Sequence, residues 1–247
     1  MTFNDHFSDH ADRYGVYRPS YPPDLFKYLA SNVPRRDLVW DCGTGNGQAA
    51  HGLAAHFRRV VATDASAAQI AQARPHDRIE YFVAHAEQSP LPDCSVDLVT
   101  VAQALHWLDL DRFYPEVRRV ARPGSVLACW CYELSTVDEQ VDAVINRYYK
   151  EIVGPYWPPE RELVESGYRT LPFPFEELTA PSFRMVASWD LHHLMGYLGT
   201  WSATARYRAD RGQDPLNEVR QALADAWGHP DRVREVTWPL RLRIGRV

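Results

Sequence analysis

The stretch from Leu38 to Gly47 concentrates more chemistry than any other part of the chain. An apolar run ends in Asp41, and Gly43, Gly45 and Gly47 follow at alternate positions. Glycines at that spacing permit a tight turn and let the backbone approach a ligand closely. Helix-forming residues from Gln48 to Phe57 come next, so free N–H groups at a helix start face the same ligand. Dinucleotide-binding turns space their glycines as G-x-G-x-x-G, because a pyrophosphate sits over the helix. Here the third glycine comes one residue early, and a carboxylate precedes the first. That carboxylate repels a diphosphate and suits a ligand carrying an ammonium group. The alternative is a glycine-rich strand-to-helix turn with no ligand at all.

The methionine portion of S-adenosylmethionine (SAM) carries such an ammonium. Asp64 ends the run Val60 to Thr63, about 20 residues beyond the glycine turn, where an acid accepts hydrogen bonds from ribose hydroxyls. A helix N-cap is the competing role for Asp64, although Ser66 is better placed for capping. Ala86 and Glu87 open a loop that passes Leu91, Pro92 and Asp93 before the next strand. At the carboxyl end of a sheet such a loop reaches an adenine. His106, beside Trp107, is the candidate for a base or for substrate orientation, against the alternative of a packed or surface histidine. An anionic acceptor needs a cationic clamp, for which Arg18, Arg161, Arg169, Arg184 and Arg206 are available. Tyr21, Trp130, Tyr132, Tyr156, Trp157 and Trp201 are candidates to shape a pocket or to meet a sulfonium through cation–π contact.

These residues need a scaffold, and the hydrophobic pattern supplies one. Apolar runs at Leu38 to Trp40, Val60 to Thr63, Ile79 to Ala84, Val96 to Val101 and Val126 to Tyr132 alternate with helical segments at Gln48 to Phe57, Ser66 to Ala73 and Phe113 to Val120. Strands alternating with helices imply crossover units and a parallel sheet covered on both faces. Leu25, Phe26 and Leu29 predict an earlier helix after prolines that suit a helix start. From Leu134 the texture becomes helical, then proline-rich and aromatic. Further strands at Phe183 to Trp189 and Arg234 to Ile244 bring the expected total to seven, with helices over Val137 to Val153, Leu191 to Tyr207 and Leu216 to Trp227. The expected organisation is an opening segment with the first helix over 1–34, a ligand-binding core over 35–133, an insertion over 134–182 between the fifth and sixth strands, and a closing part over 183–247.

Composition narrows the classes. The chain has 247 residues, 45% hydrophobic and 24% charged, with a formal net charge of -5. It buries a core and is not a disordered segment. The negative balance disfavours a surface that tracks phosphates, so nucleic acid is not the expected substrate. The four cysteines lack a CxxC spacing, and Cys129 and Cys131 share one face of a strand, which predicts packing and no metal site. The polar opening lacks a basic and an apolar region of the secretory kind, and no apolar run approaches the roughly 20 residues of a membrane span. A cytoplasmic address, with neither membrane nor nucleic acid as partner, is expected.

Taken together, DCGTGNG, ATDAS, AHAEQSPLPDCSVDLVTVAQALHW and EVRRVARPGSVLA resemble the class I SAM-dependent methyltransferases. Within that family the chain is most similar to the small-molecule branch related to trans-aconitate methyltransferase and the type 11 methyltransferases, and FSDHADRYGVYRPSYPPDLFKYL and YLGTWSA extend the likeness to nearly the whole chain. The resemblance implies a Rossmann-like, mostly parallel α/β sheet of seven strands and transfer of a methyl group from SAM to a small molecule, leaving S-adenosylhomocysteine. Asp41 with Gly43, Gly45 and Gly47 then holds the methionine end, Asp64 the ribose, and Ala86 with Glu87 the adenine edge. Ala102 to Trp107, which includes Gln103, lies beside the reactive methyl, and the segment around Tyr14 and Arg18 folds over the cofactor. Tyr21, His106, Trp107, Tyr132, Trp157 and Trp201 are the expected pocket residues, with His106 the candidate catalytic group. The run Trp40-Asp41-Cys42-Gly43 departs from relatives that carry Gly-Cys-Gly or Val-Gly before the turn, which affects packing more than chemistry. Two rivals remain at this point: a nicotinamide-dependent oxidoreductase, and a SAM-binding protein without turnover.

Overall fold

The computed structural model describes residues 17–247. Five strands run parallel: β1 (Leu38–Cys42), β2 (Arg59–Asp64), β3 (Ile79–Val83), β4 (Val96–Ala102) and β5 (Ala121–Tyr132), in the spatial order β3-β2-β1-β4-β5. The two-residue β6 (Glu176–Glu177), β7 (Phe183–Trp189) and β8 (Arg234–Arg246) complete the sheet. β8 pairs antiparallel with β5, from Val126 opposite Arg246 to Tyr132 opposite Leu240. Its other edge takes β7 along one half and β6 at the end. The seven expected strands are thus all present in a Rossmann-like α/β sheet, and β6 is a short addition within the predicted insertion.

Side chains alternate across the sheet, and each face carries its own core. From β5, Val126, Ala128, Trp130 and Tyr132 enter one cluster, with Leu25 and Leu29 of α1 (Pro23–Ser31) and Leu53 of α2 (Gln48–Ala54). Leu127, Cys129 and Cys131 enter the other, with Phe113 and Val117 of α4 (Leu110–Val120); α3 (Ala67–Ala71) lies between β2 and β3 in the chain. Cys129 and Cys131 are therefore packing residues on one strand face, and burial pushes the Cys131 thiol up to about 12.

Helix boundaries depart from the periodicity in the C-terminal half. The helix expected over 137–153 is α5 (Glu139–Arg147), capped by Asp138, which accepts from the backbone N–H of Gln140 and Val141; it then widens into a π turn at Tyr148–Ile152. α6 (Arg161–Glu165) follows. The single helix expected over 191–207 is two, α7 (Leu191–Gly199) and α8 (Ser202–Arg211), because Trp201 between them is extended at φ -68°, ψ 138°. The last is α9 (Arg220–Trp227), preceded by a 3-10 turn at Pro215–Glu218. Among the described residues, no helix is long and apolar enough to cross a membrane.

One buried network ties the loop after β3 to α4. Glu116 of α4 is 8% exposed, and its Oε1 accepts from the backbone N–H and the hydroxyl of Ser89 at 2.8 and 2.7 Å. Arg119 reaches the same carboxylate and also pairs with Asp93 at the far end of the loop. Burial works to raise the Glu116 pKa, but the hydrogen bonds from Arg119 and Ser89 outweigh it and the net displacement is downward. The associated stability is present above the ordinary glutamate range and is lost as pH falls through the depressed value. Glu116→Ala leaves the buried Ser89 N–H without its acceptor and Arg119 with Asp93 alone, and is expected to cost about 2 kcal/mol in urea unfolding. A loss below about 0.5 kcal/mol, the scatter of ordinary surface changes, contradicts this account of the loop.

Candidate active site

Strand order reverses between β1 and β4, where the crevice at the carboxyl ends of parallel strands opens. The glycine turn after β1 and the segment after β4 meet there. Gly43, Gly45 and Gly47 all adopt positive φ, at 68°, 57° and 89°, a region that side-chain-bearing residues rarely enter. A Cβ on Gly43 would sit 2.6 Å from the Ala104 Cβ, and one on Gly47 would sit 2.4 Å from the Tyr81 hydroxyl. The turn is thus pressed against the β4 segment on one side and against β3 on the other.

Asp41 lies under this turn and is fully buried. Its Oδ2 accepts from the Thr44 hydroxyl at 2.5 Å and its Oδ1 from the Thr100 hydroxyl at 2.8 Å. Burial raises its pKa from 3.8 to about 6, against the hydrogen bonds from Thr44 and Thr100 and with a small upward push from the charge of Asp64. Asp64 accepts from the backbone N–H of Gly45 at 2.8 Å through Oδ2 and from that of Ser66 at 2.9 Å through Oδ1. Ser66 is the N-cap of α3, so Asp64 braces the glycine turn and does not cap that helix. Ala86 is buried, and Glu87 Oε1 faces the backbone N–H of Asp109 at 3.3 Å, at the start of α4.

Beyond β4 the chain turns sharply. Gln103 is left-handed at φ 56°, its N–H donates to the Trp130 carbonyl at 2.8 Å, and its Oε1 is buried with no hydrogen-bond partner among the described residues. From Gln103 a cleft of about 100 Å³ extends along the 3-10 turn that holds His106 and Trp107. Arg18, Tyr132, Trp157, Arg161 and Trp201 also line it. Arg18 Nη1 donates to the Tyr132 hydroxyl, and its guanidinium lies 5.3 Å from the Tyr197 ring centroid. Arg161 Nε donates to the Tyr149 hydroxyl at 2.6 Å, and its guanidinium lies over the Trp157 ring at 4.7 Å. Among the described residues the one carboxylate on the cleft, Glu133, is bound to Arg241. His106 Nδ1 lies 2.9 Å from the Tyr168 hydroxyl, and burial, followed by the nearby charge of Arg161, lowers its pKa to about 3.

Five of the six expected pocket residues, His106, Trp107, Tyr132, Trp157 and Trp201, are gathered in one place, and Gln103 and Arg18, expected at the cofactor, line the same cleft. Tyr21 is not among them: it is buried in the core, edge-on to Trp130 at 5.5 Å and near Phe26, because the turn before α1 points it at the sheet. Tyr14 lies outside the described residues. Of the candidate cations, Arg18 and Arg161 face the cleft, Arg169 and Arg184 are exposed away from it, and Arg206 Nη1 donates to the Tyr156 carbonyl. Sequence reasoning missed Thr44 and Thr100, whose hydroxyls hold Asp41, and Tyr168, which holds His106. The threonines are visible only as two hydroxyls on an otherwise apolar strand-turn-strand unit. Tyr168 carries no signal beyond the glycine before it.

The chain as a whole is similar to known proteins. The methyltransferase domain family matches residues 40–129. A Dictyostelium discoideum protein carrying a methyltransferase name is 33% identical over 251 residues, 99% of this chain and 95% of that one. A Saccharomyces cerevisiae protein whose name specifies S-adenosylmethionine-dependent methyl transfer is 31% identical over 147 residues, 56% of this chain and 50% of its own. A solved structure from Anaeromyxobacter dehalogenans, described as a type II methyltransferase, superposes with a TM-score of 0.88 at 53% identity, covering 93% of this chain and 98% of that one. The nicotinamide reading falls with these matches: the chain belongs to the class I SAM-dependent methyltransferases.

Proposed function

We propose that this methyltransferase acts on a small anionic acceptor, a carboxylate, held in the cleft between Arg18 and Arg161. The observation that carries the reading is the charge of that cleft: among the described residues, two guanidiniums face it, and the one carboxylate there, Glu133, is already paired with Arg241. Guanidinium groups supported by aromatic rings keep their fork geometry and bind carboxylates through paired N–H donors.

SAM, when bound, supplies a sulfonium whose methyl carbon is open to in-line displacement. The residues present fit it. The positive-φ glycine turn lets the backbone come close to a ligand, Asp41 puts negative charge beneath the methionine end, and among the described residues the Gln103 Oε1 is a buried acceptor without a donor. Asp64 is assigned to the ribose and Ala86 with Glu87 to the adenine, with Arg18 closing the methionine side. A carboxylate acceptor has a pKa near about 4 and is ionised at neutral pH, so no base is required. His106, with its pKa near 3, is a poor base in any case. Trp107, Trp157 and Trp201 wall the cleft, the last two with ring centroids 5.6 Å apart, and they exclude water from the reacting atoms. The protein's task is alignment. Incubation with SAM and a panel of small carboxylates, phenols and amines, followed by measurement of S-adenosylhomocysteine, tests the assignment. Turnover confined to carboxylates is expected, and turnover confined to phenols or amines refutes it.

Two further outcomes are expected. Asp41 is partly protonated near its raised pKa of about 6; in the ligand-free protein this favours the protonated form, and the associated stability is lost as pH rises from the ordinary value through the raised one. A cation beneath which Asp41 must ionise therefore binds better as pH rises from about 5 to about 7. Calorimetry is expected to show SAM affinity increasing over that range in the native protein and flat in Asp41→Asn; parallel profiles contradict the charge role of Asp41. Arg161→Leu is expected to raise KM for a carboxylate on the order of 10-fold or more with little change in the Kd of SAM. Equal losses in both place Arg161 in the scaffold instead.

A further inference from the structure

We propose that Tyr168 fixes the tautomer of His106, so that the imidazole presents an Nε2–H donor, and not a lone pair, to the acceptor in the cleft. Tyr168 is fully buried and left-handed at φ 61°, directly after Gly167 at φ 63°. A bulky residue in that region persists only where its surroundings over-determine it. They do here: the Tyr168 N–H donates to the Leu163 carbonyl at 2.9 Å, and its carbonyl accepts from Arg243 Nη1 at 2.7 Å. The phenol is thereby aimed at the turn after β4.

Among the described residues the phenol oxygen has one hydrogen-bond partner, His106 Nδ1 at 2.9 Å. The phenol hydrogen therefore has one acceptor there, the Nδ1 lone pair. The reverse arrangement, with the proton on Nδ1, leaves the O–H of a fully buried phenol without an acceptor. A neutral imidazole that accepts at Nδ1 carries its proton at Nε2. The charged and titratable groups on the same cleft are Arg18, Tyr132, Glu133, Arg161 and Tyr197, with Glu133 bound to Arg241. Arg161 disfavours imidazolium, as does burial.

Tyr168 is then a positioning residue, and His106 becomes a recognition group for an unprotonated oxygen. This rests on the carboxylate reading above: the N–H engages one carboxylate oxygen, which leaves the other to attack. It also separates ionised acids from ammonium-bearing molecules, which have no lone pair to offer.

The test is nitrogen NMR of the full chain labelled with 15N-histidine, recorded without acceptor, with His106 assigned by loss of its signals in His106→Gln. The expected spectrum at neutral pH has an unprotonated Nδ1 and a protonated Nε2, unchanged on acidification to about pH 5, where exposed histidines titrate. In Tyr168→Phe, which keeps the ring, both resonances are expected to shift toward a tautomer mixture while calorimetric SAM affinity is retained. A protonated Nδ1 or an imidazolium in the native protein overturns the proposal, as does a folded Tyr168→Phe with an unshifted His106. Because the spectrum needs no acceptor, its failure leaves the carboxylate reading to be judged by the acceptor panel.

Discussion

A carboxylate buried beneath a glycine turn is the constraint from which the rest of this structure follows. Asp41 has no contact with water, and two threonine hydroxyls, from the turn itself and from β4, take the place of hydration. Burial raises its pKa to about 6, so the carboxyl is still mostly ionised at neutral pH and attracts a cation that sits above it in a low-dielectric site. The same two hydrogen bonds lock the turn to the neighbouring strand. Charge and shape are therefore set by one residue and cannot be varied independently.

The cleft beyond the turn is built on a different principle. Arg161 is seated between Tyr149 and Trp157 by its Nε hydrogen bond and the two rings, and Arg18 adds a hydrogen bond to the Thr200 carbonyl to its contacts with Tyr132 and Tyr197. A ring contact holds a guanidinium without consuming its N–H donors. The broken helix at Trp201 and the π turn at Tyr148–Ile152 belong to this design: each departs from regular helix where an aromatic side chain joins the Tyr149, Trp157 and Trp201 cluster.

How far the molecule was legible in its sequence follows from these two principles. The seven main strands and the glycine turn were readable because parallel strands buried on both faces give apolar runs, and a positive-φ turn admits glycine almost alone. The place of Asp64 at the end of β2 was readable from the apolar run before it, though its brace on the Gly45 N–H was not foreseen. Tyr21 misled, since an aromatic near a turn looks the same in sequence whether it meets a ligand or a core tryptophan. Helix ends at 147 and 199 were missed because apolar residues continue past them without a proline. Tyr168 was invisible: it lies 62 residues from His106, and only tertiary packing joins them.

The central claim is that the charge of Asp41 recognises the amino-acid end of the cofactor. The most direct measurement is a thermodynamic cycle by calorimetry: S-adenosylhomocysteine and 5′-methylthioadenosine, which lacks that amino-acid end, each titrated into the native protein and into Asp41→Asn. The account predicts a strong preference for S-adenosylhomocysteine in the native protein that largely disappears in the variant, because the coupling belongs to the pair. An equal preference in both proteins would contradict it.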